Sequence, residues 1–350
     1  MFTLSEAQAK FDEIVKTSAD ANDQVPGLIA LLAGPQDWLE TAKTGDEQAQ
    51  EFAGVLTHFL ATAIGEHPRP AAAIADLLSV LEDDEDGVRL YLVQNMFLDS
   101  SPAVLATARQ VVEPKQHENE LYLHLTGGII RLQGDPEEFE AFVKANTPEM
   151  GDEDWFRVSE LYVTADRPEE ALERLDKITD EQALWPDTAV IRHAAYRQLD
   201  DTEKMQALAR TFFVAMPIPV AYHMISLSWP DIESQQQEAE RLVGLITQTP
   251  ELNPIFVSTL LNLEQEPRAA EYVHGHYERL SDAGLGALAT WTDAFTEAQE
   301  YLAAYLSVRA AMACLDEVDP SQRDMVGDHL IARAEELKGQ IKDWKGIDVG

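Results

Sequence analysis

Apolar side chains recur along this chain with the period of an α-helix. Over residues 70–81 (PAAAIADLLSVL), Ala73, Ile74, Leu77, Leu78 and Leu81 fall at i, i+1, i+4, i+5 and i+8, one stripe of a 3.6-residue helix. Polar–apolar alternation rich in Val, Ile and Thr is scarce. The best strand candidate, residues 125–132 (LTGGIIRL), is short and holds two glycines. The pattern predicts an all-α chain.

A second, longer period lies over the first. Prolines stand at 35, 70, 102, 136 and 168, spaced by 35, 32, 34 and 32 residues. Thr202 follows 34 residues later, and Pro267 a further 65, close to two periods. Each opens an apolar helical pattern, with Trp38, Ala73, Leu105, Phe139, Ala171, Met205 and Ala270 three places on. Proline suits the first helical position, where its missing N–H would have had no partner. Ser101, Asp135 and Asp201 are good N-caps; Arg69, Arg167 and Glu266 are poor ones. A period of 32–35 residues holds two helices and two turns. Such a unit cannot bury its apolar faces alone and must stack on its neighbours. The prediction is an α-solenoid of helix–turn–helix repeats, about nine or ten hairpins in all. Pro217, Pro219, Pro230, Pro250 and Pro254 crowd one stretch. They predict a helical array over 1–216, an irregular segment over 217–254, further helical repeats over 255–345 and a tail over 346–350.

Over residues 152–219 the pattern resembles the tetratricopeptide repeat family. With Trp155 as the fourth residue of a 34-residue unit, Tyr162 and Ala171 fall on that family's tyrosine and small-residue positions. In the next unit Tyr196 takes the tyrosine position and Pro217 the closing proline. Departures are Ser159 and His193 for the glycine, Ala189 for the tryptophan and Met205 for the small alanine. The N-terminal third fits a looser HEAT-like pairing equally well. The resemblance implies a right-handed superhelix whose inner face binds a protein or peptide. Inner-face places fall on Phe156, Glu160 and Val163, then on Val190, Ala194 and Arg197. A clamp for a chain-terminal carboxylate needs Lys, Arg and Asn there, and one arginine does not make it. Phe156, Tyr162, Tyr196 and Arg197 are the candidate partner-binding residues, with Trp155 beside them. A place in the repeat core is the competing role for these aromatics.

Charge narrows the partners. The 350 residues include 63 acids and 26 Lys or Arg, a net charge of −37. Acids outnumber bases by 18 to 6 over residues 1–110, by 19 to 7 over 111–185 and by 26 to 13 over 186–350. The excess is spread along the chain. That fits solubility or life at high salt, or else steering of a basic protein onto an acidic surface. Direct binding of nucleic acid or of an anionic membrane needs clustered cations and is not expected. No run reaches the ~20 apolar residues of a membrane span. The first residues carry no basic start followed by an apolar run. A cytoplasmic protein is the expectation.

Chemistry-bearing motifs are weak. The acidic run 82–87 begins like a calcium loop but has Val93 at the twelfth position, where a bidentate Glu is required. Gly284 and Gly286 mimic a dinucleotide fingerprint, yet a helical pattern precedes them, which predicts a turn between helices. His274 and His276 point to opposite sides of a helix; His274 with Glu278, or His117 with His124, gives too few ligands for a metal. Cys314, the one cysteine, sits among small apolar residues and reads as a buried thiol. No catalytic signature is present, and no cofactor or metal is predicted. The chain is expected to be a non-catalytic scaffold or adaptor for a protein or peptide partner. The alternative is an acidic inhibitor or chaperone-like protein that neutralises a basic one.

Overall fold

In a computed structural model of the chain, residues 3–18, 20–34, 38, 46–81, 84, 87–179 and 182–341 are described. Pro35, most of the acidic run 82–87 and the tail 346–350 lie outside them. The fold is all-α, and among the described residues there is no strand. Two compact units divide the chain between Ile178 and Thr179.

Among the described residues the first unit shows ten helices: α1 (Leu4–Thr17), α2 (Ala21–Ala33), α3 (Glu47–Glu66), α4 (Pro70–Ser79), α5 (Val88–Leu98), α6 (Pro102–Val112), α7 (Glu120–Gln133), α8 (Pro136–Asn146), α9 (Asp152–Thr164) and α10 (Pro168–Leu175). The described residues of the second form nine: α11 (Pro186–Gln198), α12 (Thr202–Ala215), α13 (Pro219–Ser228), α14 (Ile232–Gln248), α15 (Pro254–Asn262), α16 (Glu266–Gly275), α17 (Gly284–Glu297), α18 (Tyr301–Ala313) and α19 (Arg323–Gln340). Within each unit most neighbouring helices pack as hairpins, and hairpins stack: in the first, α3 on α5 and α5 on α7, with α4 on α6. In the second unit α11 lies on α13 and α15 on α17. This is the solenoid-like stacking that the apolar stripes require.

The period survives in three dimensions. The second helices of successive hairpins begin at Pro70, Pro102, Pro136, Pro168, Thr202, Ile232, Glu266 and Tyr301, at intervals of 30 to 35 residues. The first four of these open at the periodic prolines. Ser101, Asp135 and Asp201 accept hydrogen bonds from the backbone N–H groups of Val104, Glu138 and Lys204, as N-caps should. Arg69 and Arg167 precede helices without a side-chain cap.

One turn recurs between paired helices. Asp166, Asp200, Glu264 and Gln299 each have a left-handed backbone, with φ between 53° and 63°. At each, two backbone bonds close the helix end; around Asp166 they run from Arg167 N–H to the Tyr162 carbonyl and from Asp166 N–H to that of Val163. The same pair recurs with Tyr196 and Arg197, with Leu260 and Leu261, and with Phe295 and Thr296. This is the Schellman arrangement, which uses up carbonyls left open at a helix end.

The segment 217–254 differs from its expectation. Instead of an irregular stretch it carries α13 and the long α14. Pro219 and Pro254 sit at first helical positions, and Pro230 falls in the turn before Asp231, the N-cap of α14. Proline breaks a helix only from within, and these lie at the ends. Residues 125–132, the best strand candidate, lie inside α7. Gly284 opens α17 with φ 76°, after a 3-10 turn over Tyr277–Ala283, as a turn between helices should. Among the described residues no helix is long and apolar enough to cross a membrane.

Candidate functional site: a groove on the first unit

Helix α7 shapes the main concavity. Asn119 caps its start, accepting from Tyr122 N–H at 3.1 Å, and Gly134 ends it with φ 83°. Its middle holds two adjacent glycines with different surroundings. A Cβ on Gly127 would lie 2.7 Å from Cε1 of Phe142 on α8, so this glycine lets the ring seat against the backbone. A Cβ on Gly128 would meet nothing within 4 Å.

Gly128 faces a groove of about 670 Å³ bounded by α5, α7, α8 and the start of α9. Phe139, Phe142 and Val143 of α8 line it together with Leu123 and Leu132 of α7. Leu98, 64% exposed, Phe97 and Tyr91 line it from α5. Gln94, Asn95, His124, Asn146 and Thr147 add polar groups. The volume lies within the range of ligand pockets, and the mixture of apolar wall and few polar groups is the usual one. The charged lining residues already have partners. Arg131 pairs with Glu160 of α9, Arg157 with Glu153, and Asp154 accepts from Gly151 N–H at 3.1 Å.

Beyond α8 lies a buried charge network. Glu140, 5% exposed, accepts from Lys144 Nζ at 2.6 Å, from the Tyr162 hydroxyl at 2.8 Å and from Arg174 Nη2 and Nε at 3.0 and 3.2 Å. Burial alone would raise this carboxyl, but the bonds from Lys144, Tyr162 and Arg174 outweigh it and hold it down to about 2. Burial, followed by the Glu140 carboxylate, pushes the Tyr162 phenol up to about 12. The network ties α8, α9 and α10 together and offers no group to a ligand.

The sequence candidates fall in different places. Tyr162 is interior, committed to Glu140, which leaves it no surface for a partner; its role is the repeat core. Trp155 is half-buried, with Lys177 Nζ 3.8 Å from its ring centre. Phe156 is half-buried on α9 and does not line the groove. Tyr196 and Arg197 belong to the second unit; Tyr196 is half-buried beside Lys204, and Arg197 is exposed. The groove residues Leu98, Gly128 and Phe142 were not singled out from sequence. Two signals were available: a glycine pair inside a helical pattern, and a stretch, residues 121–134, without a single acid in a strongly acidic chain.

Other reactive groups serve the fold. In the second unit His193 Nε2 lies 2.8 Å from Ser228 Oγ, and that hydroxyl donates to the Met224 carbonyl at 2.7 Å. The histidine is therefore the donor to the serine, the reverse of nucleophile activation. Burial, with Arg197 and His223 adding to it, pushes His193 down to about 4. Cys314 is buried, its Sγ 3.4 Å from the Ser281 carbonyl. Among the described residues no three His, Cys, Asp or Glu side chains are grouped to hold a metal. In comparisons with protein-family models, curated proteins and solved structures, nothing matches the chain.

Proposed function

We propose that this chain is a non-catalytic helical-repeat adaptor, tetratricopeptide-like in its hairpins, and that the groove of the first unit holds a segment of a protein partner. The groove itself carries the reading: an apolar wall open to solvent, with the exposed Leu98 at its edge, on a scaffold of stacked hairpins. Exposed apolar surface of this kind is costly to keep and marks interaction sites. The recurrent left-handed turns and the proline-opened second helices support the tetratricopeptide likeness, as does the small Ala171, fully buried on α10. The two arginines lining the groove are engaged by Glu160 and Glu153, which leaves the apolar wall as its main offer to a partner.

Site-specific photo-crosslinking in the native cell tests this. A photoreactive residue at Leu98 or His124 should trap a protein that the same residue at the exposed Lys10 of α1 does not. Equal trapping at all three positions, or none above background, would refute the proposal.

A further inference from the structure

We infer that His276 is a proton-held clasp: its ring keeps both N–H groups in the folded second unit, and the end of α14 comes loose from it when pH rises and one of them is lost. The ring is buried, and each of its nitrogens lies 2.9 Å from a backbone carbonyl oxygen, Nδ1 from that of Tyr272 and Nε2 from that of Thr249. Both carbonyls stand at helix ends, since Thr249 is the C-cap of α14 and His276 that of α16. The His276 backbone N–H turns to the Val273 carbonyl, so the Tyr272 carbonyl lacks the donor four residues on that a continuing helix would give it. A carbonyl oxygen only accepts, and a neutral imidazole donates from one nitrogen alone. With one proton, the other nitrogen would point a lone pair at an oxygen lone pair across hydrogen-bond distance. With two, both carbonyls are satisfied, and the positive charge sits at two helix C-termini, where the dipoles favour it.

The neighbouring groups leave that charge to the ring. The last turn of α14, residues 245–249, carries no titratable side chain. From α16 the Tyr272 ring packs on the imidazole with centres 4.1 Å apart; burial raises its phenol, whose oxygen accepts from Asn253 N–H at 3.0 Å. Glu251, between α14 and α15, accepts from the same hydroxyl on its backbone carbonyl at 3.5 Å. In the turn after α16, Glu278 accepts from the Tyr277 hydroxyl and Arg279 pairs with Asp282. Burial lowers His274, two residues back, against the pull of Glu300 and Glu271. Among the described residues no carboxylate forms an ion pair with His276, so the two carbonyls and the helix ends hold the second proton. An unfolded histidine gives that proton up at about pH 6.5. Above that point the folded chain binds one proton more than the unfolded chain, and its stability falls as pH rises. His193, in the same unit, acts in the opposite sense.

Proton–nitrogen correlation spectra of the full chain, isotope-labelled in its histidine rings, test this directly. At pH 7.5 an ordinary histidine is about nine-tenths neutral, whereas His276 should show a bound proton on each ring nitrogen. The signals that vanish in His276→Gln assign the ring; if that variant does not fold, the contact with the Tyr272 ring assigns it in the native chain. Hydrogen–deuterium exchange gives the consequence. Between pH 7 and 9, exchange in the last turn of α14, corrected for its intrinsic rate, should accelerate by about tenfold or more in the native chain. In a folded His276→Gln it should change less than about twofold over the same range. A single ring proton at pH 7.5, native exchange that does not respond to pH, or the same acceleration in His276→Gln would each overturn the inference.

Discussion

Glu140 is the residue whose replacement should cost the first unit most for the fewest atoms changed. Glu140→Gln keeps the shape but gives three donors an acceptor with one oxygen and an amide nitrogen. The folded carboxyl stands at about 2 against 4.5 in the unfolded chain. At about 1.4 kcal/mol for each pH unit, that difference amounts to about 3 kcal/mol. Lys144 is half-exposed and water screens its share, so about 2 kcal/mol is the expected loss at neutral pH. The folded value is the lower one, so the carboxylate's contribution is complete above pH 4.5 and is lost as pH falls from there toward 2. The gap between the native chain and Glu140→Gln should therefore shrink by roughly half at pH 3. Hydrogen–deuterium exchange in rising urea, read on peptides from α8, α9 and α10, follows the unit that holds the network. A variant with an unchanged urea midpoint, or with the same deficit at pH 3 as at pH 7, would contradict the reasoning.

Three further outcomes are expected. His193 titrates near 6.5 when unfolded and at about 4 when folded, so the second unit should lose stability as pH falls through that window, by about 1 to 2 kcal/mol at pH 5, and His193→Gln should abolish the loss. Cys314, buried in the same unit, reports this through its labelling rate with a thiol reagent active in acid. Glu264→Gly and Gln299→Gly relieve left-handed backbone at φ 55° and 63°, and each should stabilise by about 0.5 kcal/mol, the strain removed exceeding the entropy added to the unfolded chain; a lower thermal midpoint would refute this. Gly128→Ala should stabilise by about 0.5 to 1 kcal/mol, whereas Gly127→Ala drives a Cβ to 2.7 Å from Phe142 and should destabilise by about 1 to 3 kcal/mol, both read by thermal melting.

Much of the architecture was written in local pattern. The helical period is set residue by residue, because an apolar face must point one way. The repeat could be read because proline at a first helical position and Ser or Asp at a cap are local chemistry, satisfied within three residues. The same locality misled at 217–254, where proline density was read as irregularity although Pro219 and Pro254 each open a helix. Tyr162 illustrates the limit. Its place in the repeat was legible, but its burial against Glu140 was not, because Glu140, Tyr162 and Arg174 lie on three different helices.

By itself the sequence determined that the chain is helical and that helices opened by proline or a capped turn recur every 32 to 35 residues; that these are the second helices of the pairs was decided by the fold. Only the tertiary structure decided which surface stays open. Gly127 and Gly128 are identical and adjacent in sequence; one is closed by a ring from α8 and the other faces the groove. That difference arises from helices brought together across the fold, and such contacts depend on packing geometry that no single helix's pattern contains.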